Sequence, residues 1–107
     1  MNNTKIARQL IEAYNHPVSP ESHLKDIAKE LICAHNAAVK YGLLQLPFLD
    51  FIEVSSDENT ECKIIDIEVN FKSGMAEIND VFNIKQEWGA DEVYFLNSGR
   101  IAFEFKI

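Results

Sequence analysis

Histidine, cysteine, proline and glycine are all scarce in this chain of 107 residues, with three, two, three and four copies. Cys33 and Cys62 form no metal or redox spacing, so they read as free thiols of a reducing compartment. Their separation alone neither makes nor forbids a disulfide, whose geometry is local. So few prolines and glycines argue against a long disordered linker. No apolar run approaches the roughly 18–20 residues of a membrane span. The opening Met1-Asn2-Asn3-Thr4-Lys5 begins no signal-peptide core. These absences predict a cytoplasmic protein with one acidic domain over residues 1–107 and no membrane contact.

Positive charge is also in short supply, and unevenly so. The first 49 residues hold five basic and four acidic side chains; the remainder hold five basic and thirteen acidic. Residues 50–107 therefore carry −8 and the first 49 residues +1, which sum to the net charge of −7. Direct nucleic-acid or anionic-membrane binding needs clustered Lys and Arg, which are lacking. Lys25, Lys29 and Lys40 share one predicted helix, but Glu21, Asp26 and Glu30 interleave with them as on a balanced solvated face.

Hydrophobic spacing predicts an α+β domain in the order α-α-β-β-α-β-β: two N-terminal helices packed on a mostly antiparallel sheet of about four strands, with one further helix. Ile6, Leu10, Ile11 and Tyr14 predict a helix over 4–15, stopped before Pro17. Ser19 and Pro20 suit the cap and first turn of the next, Leu24, Ile27, Ala28, Leu31, Ala34, His35 and Ala38 its buried stripe, and Gly42 its end. Phe48 to Val54 reads as a strand, 55–61 as a polar acidic loop and 62–71 as a cleanly alternating strand. Ile78, Val81, Phe82, Lys85 and Trp88 suit a helix over 77–88 ended by Gly89, although Met75 to Ile78 also fits a short strand. Two strands, 91–96 and 101–107, close on a Ser98-Gly99 turn that would pair Leu96 with Ile101 and Tyr94 with Phe103.

None of this spells out catalysis, and the chain reads as a non-enzyme without cofactor. His16, His23, His35, Cys33 and Cys62 make neither an i, i+4 pair nor a Cys-x-x-Cys, so no metal site is predicted. Asp57, Asn59, Glu61, Ile64 and Glu68 overlap a calcium-loop pattern, but Cys62 stands where that loop needs Gly. Cys62 sits among Glu61 and Asp66, whose charge raises a thiol pKa and blunts it as a nucleophile. Asp66 and Glu68 on one strand face are the single carboxylate pair suited to acid–base or metal chemistry.

What remains is the acidic surface. Asp57, Glu58, Glu61, Asp66, Glu68, Glu87, Asp91 and Glu92, with Trp88 as an aromatic anchor, form the expected partner-binding set; Tyr41 and Tyr94 are further candidate anchors. Carboxylates at this density repel one another, and their field steers a basic protein partner. In size and charge the chain resembles the small acidic immunity proteins of secreted nuclease toxins, and phage inhibitors of restriction or RNA-guided nucleases. That resemblance covers no motif and transfers no residue. It implies a protein that neutralises a basic toxin. Secretion chaperones or accessory subunits are the alternative of similar size and charge, and a small metal-dependent enzyme is a further one.

Overall fold

The computed structural model describes residues 21–58, 63–72 and 77–106. The predicted helix over 4–15, the Ser19-Pro20 start of the second helix and the hairpin tip at 59–62 lie outside the described residues. The described elements are α1 (Glu21–Lys40), β1 (Leu49–Glu58), β2 (Lys63–Phe71), α2 (Ile78–Trp88), β3 (Glu92–Phe95) and β4 (Ile101–Lys106). The strands form one sheet in the order β1-β2-β4-β3, with every neighbouring pair antiparallel.

Alternation on β2 dictates the layering. Ile65, Ile67 and Val69 are fully buried, and they pair with Phe105, Phe103 and Ile101 of β4 on the same side. Both described helices close over that side. From α1 come Leu24, Ile27, Ala28, Leu31 and Ile32; from α2 come Val81, Ile84 and Trp88. The α1 stripe is as the spacing predicts. On α2, Ile84 is buried while Ile78 and Phe82 are exposed, because the helix turns the arc of 81, 84 and 88 inward and leaves the flank outside. Ile78 is helical, which settles its own state in favour of the helix.

Each helix ends in the same backbone geometry. The amides of Gly42 and Leu43 bond to the carbonyls of Val39 and Ala38, and those of Gly89 and Ala90 to the carbonyls of Gln86 and Lys85. This double capture needs a left-handed residue at its first amide, where Gly42 (φ 76°) and Gly89 (φ 72°) incur no Cβ penalty.

The chain between α1 and β1 is fastened by two adjacent side chains of α1. His35 Nε2–H donates to the Pro47 carbonyl at 2.9 Å. Asn36 brackets Leu49: its Nδ2 donates to the Leu49 carbonyl at 2.8 Å, and its Oδ1 accepts from the Leu49 amide at 2.8 Å. Leu49 is fully buried, so both backbone groups depend on this one side chain. Replacing Asn36 by Ala should lower stability by about 2–3 kcal/mol, since stranding buried polar groups costs about 1–3 kcal/mol each. Chemical denaturation of Asn36→Ala against wild type checks this.

Two details of register depart from the sequence reading. First, β1 runs to Glu58, beyond the predicted end at Val54. Ser55, Ser56, Asp57 and Glu58 pair with Asp66, Ile65, Ile64 and Lys63, so a neighbouring strand outweighs poor local strand propensity. Second, the β3–β4 pairing is shifted by one residue: Val93 opposes Phe103, Tyr94 opposes Ala102 and Phe95 opposes Ile101. The Gly99 amide bonds to the Leu96 carbonyl, and the Leu96 amide to the Arg100 carbonyl. The loop therefore has three residues with Gly99 at φ 87°, not two, and the extra residue turns Tyr94 to the other face.

Candidate functional site

The second face of the sheet carries the charge. Register sets two rows across it. Ser55, Asp66, Glu104 and Glu92 lie side by side on β1, β2, β4 and β3; Glu53, Glu68, Ala102 and Tyr94 form the next row. Five carboxylates thus meet on one face from four strands.

A bulge at Ile52 makes this possible. Phe51 pairs with Val69 and Glu53 with Glu68, leaving Ile52 as an extra residue. Without it, strict alternation would put Glu53 on the same side as Phe51, which packs against the core. With it, Glu53 stands opposite Glu68.

The cations on this face are few and peripheral. Arg100 Nη1 reaches Glu68 Oε2 at 3.4 Å, and Lys106 Nζ lies 3.8 Å from Glu104 Oε1. Along the sheet, Lys72 Nζ lies 3.7 Å from Asp50 Oδ1. Exposure is graded across the rows. Glu53 and Glu92 are exposed at the two edges, Asp66 and Glu68 are half-buried, and Glu104 keeps 8 % of its surface in water. Burial raises the Glu68 pKa above the ordinary carboxylate value, and the hydrogen-bonded, like-charged Glu53 carboxyl raises it further, against the pull of Arg100. The face is therefore under electrostatic strain of its own making.

Of the residues expected from the sequence, Asp66, Glu68 and Glu92 come together here. Asp57 and Glu58 close β1, opposite Ile64 and Lys63; Glu61 lies outside the described residues. Asp91 is exposed, but its Oδ2 accepts the Lys106 amide at 2.7 Å and so ties β3 to β4. Glu87 belongs to α2 in the other layer, where its field reaches His35. Trp88 is a correction to its expected role. It is fully buried, with its ring 4.7 Å from Phe103 and edge-on to His35 at 5.9 Å, so it anchors the core and not a partner. Tyr94 is the aromatic side chain on the acidic face, 46 % exposed.

Two members of the face lie outside the expected set. Glu104 is the lone acid in an otherwise apolar stretch, Ile-Ala-Phe-Glu-Phe, and that isolation was its signal. Glu53 lies in a segment that reads as a plain strand, where nothing announces a bulge.

Asp66 and Glu68 do share a face, as acid–base or metal chemistry would require, but no group of three or more His, Cys, Asp or Glu among the described residues is arranged to hold a metal ion. No described helix is long and apolar enough to cross a membrane. Cys33 is an exposed free thiol on α1. No family model, curated protein or solved structure matches the chain.

Proposed function

We propose that this is a small acidic binding protein that neutralises a basic protein partner, as an immunity protein or inhibitor of a nuclease-type toxin does. The observation that carries this reading is the convergence of Glu53, Asp66, Glu68, Glu92 and Glu104 on one sheet face against Arg100 and Lys106. Such a face repels itself, and a cationic surface docked on it would relieve that repulsion while accelerating encounter. Exposed Glu53 and Glu92 present the charge at the edges, and Tyr94 offers a half-exposed ring for an Arg or Lys to cover.

A second reading, as a chaperone or accessory subunit that binds apolar segments, draws on different residues. Ile78 and Phe82 stand one turn apart on α2 with 63 % and 50 % of their surface exposed, and Phe95 on β3 is half-exposed.

Affinity capture with tagged protein separates the two. One basic protein, held at low salt and released at about 0.5 M salt, where the screening length falls to roughly 4 Å, is the result expected of the acidic face. Capture that is indifferent to salt and lost in Phe82→Ser supports the apolar flank in its place.

A further inference from the structure

His35 sits fully buried at the junction of three elements. Its Nε2–H donates to the Pro47 carbonyl, which leaves Nδ1 as the bare acceptor of a neutral imidazole. Nδ1 has no hydrogen-bond partner among the described residues. Beside it, the Trp88 ring stands perpendicular to the imidazole at 5.9 Å, and its indole N–H is likewise buried without a partner among the described residues. The described residues around the ring thus accommodate its neutral form and offer no acceptor for a second N–H.

We propose that His35 is an acid-sensitive latch: its protonation withdraws the imidazole from Trp88 and releases its hold on the Pro47 segment while the sheet stays folded. A proton on Nδ1 creates a buried N–H without an acceptor among the described residues and a buried charge, so the charged ring is stable only if it leaves the pocket. On leaving, it abandons the Pro47 carbonyl. The segment is then held by Asn36 at Leu49, by the Lys72 amide at the Phe48 carbonyl, by Leu46 against the core and by the α1 cap, and it already exposes Tyr41 (74 %) and Leu43 (71 %) to water. The sheet has its own ladders and does not depend on this bond.

The charged groups around the ring leave the balance with burial. From α2, Glu87 supplies an opposing field that favours the proton. From the segment itself the one titratable side chain is Tyr41, which points into water. From the start of β1, Asp50 is exposed and paired with Lys72; from β4, the apolar Phe103 ring lies tilted against Trp88. Lys40, on α1, lies over Tyr41. Burial dominates and lowers the His35 pKa, opposed by the Pro47 bond and Glu87. The sign follows. The unfolded chain takes up its proton near pH 6.5, ahead of the folded one. Stability is therefore complete above that pH and declines as pH falls below it toward the folded-state value.

Trp88 is the single tryptophan of the chain, so its emission reports on the latch directly. Titrating wild-type protein from pH 8 to pH 4.5 should quench and red-shift that emission in a one-proton step centred below 6.5. Far-UV circular dichroism should stay flat through the step. The assigned His35 ring resonances in a two-dimensional NMR titration should move with the same midpoint. His35→Gln, which keeps a donor for Pro47 and cannot titrate, should show no step; should it not fold, the wild-type resonances decide. An unchanging emission, a step that persists in His35→Gln, or a step that coincides with loss of secondary structure would each overturn the latch.

Discussion

Replacing Trp88 by Ala should cost about 3–5 kcal/mol, the range for emptying a large aromatic site in a core. Typical domains have only about 5–15 kcal/mol in hand. At roughly 4 °C or more per kcal/mol for a domain near this size, the melting temperature should fall by about 12–20 °C at least. The reason is geometric. The indole is fully buried, it is in contact with Phe103 at the centre of β4, and it forms the wall against which His35 is seated. Small residues cannot flow in from either side, because the sheet below and α1 beside it are fixed by their own ladders and caps. Urea denaturation followed by far-UV circular dichroism measures the effect. Phe82→Ala, on the exposed flank of the same helix, is the control and should change stability by no more than about 1 kcal/mol. If the two variants were equally stable, Trp88 would not be the keystone of this core.

Reversing Glu53 and Glu92 together to Lys should slow association with a captured basic partner by about tenfold or more at low salt. Steered encounters reach 10⁸–10⁹ M⁻¹s⁻¹, against about 10⁵–10⁶ without steering, so the available range is wide. The two residues lie at opposite edges of the acidic face and both are exposed, so the substitution alters the field without opening the core. The net charge moves from −7 to −3. Dissociation should change far less, because peripheral charges act mainly on encounter. Surface plasmon resonance at low salt and again at about 0.5 M salt reads both rates; the variant and wild type should converge at the higher salt. Equal association rates at low salt would sink the steering role of this face.

Much of the fold is legible in the sequence because its signals are local. The α1 stripe, the Gly42 and Gly89 ends, the alternation of β2 and the helical state of α2 follow from spacing and from single residues with strong conformational bias. What is not legible arises between strands. Ser55 to Glu58 carry no strand propensity worth the name, and they extend β1 because β2 offers hydrogen bonds. Tyr94 changes face on the strength of one residue in a turn, which composition does not distinguish from its neighbour. The acidic face suffers most from this. Its members Asp66, Glu68 and Glu92 stand out by charge, yet their proximity, and the inclusion of Glu53 and Glu104, depends on a bulge and on the β2-β4-β3 order. Trp88 shows the converse: an aromatic residue near acidic neighbours in sequence looks like an anchor, while in space it belongs to the other layer.

The bulge at Ile52 also bears on how the length of this chain can vary. Leu49 and Phe51 before it, and Glu53 and Val54 after it, are in phase once Ile52 is skipped. A chain shorter by that one residue keeps every other side chain of β1 on its present face. The same deletion inside β2 would throw Ile65, Ile67 or Val69 out of the core and bring Asp66 or Glu68 into it. Position 52 is thus the place in the sheet where descent or design can remove a residue and leave both the core and the charged surface in register.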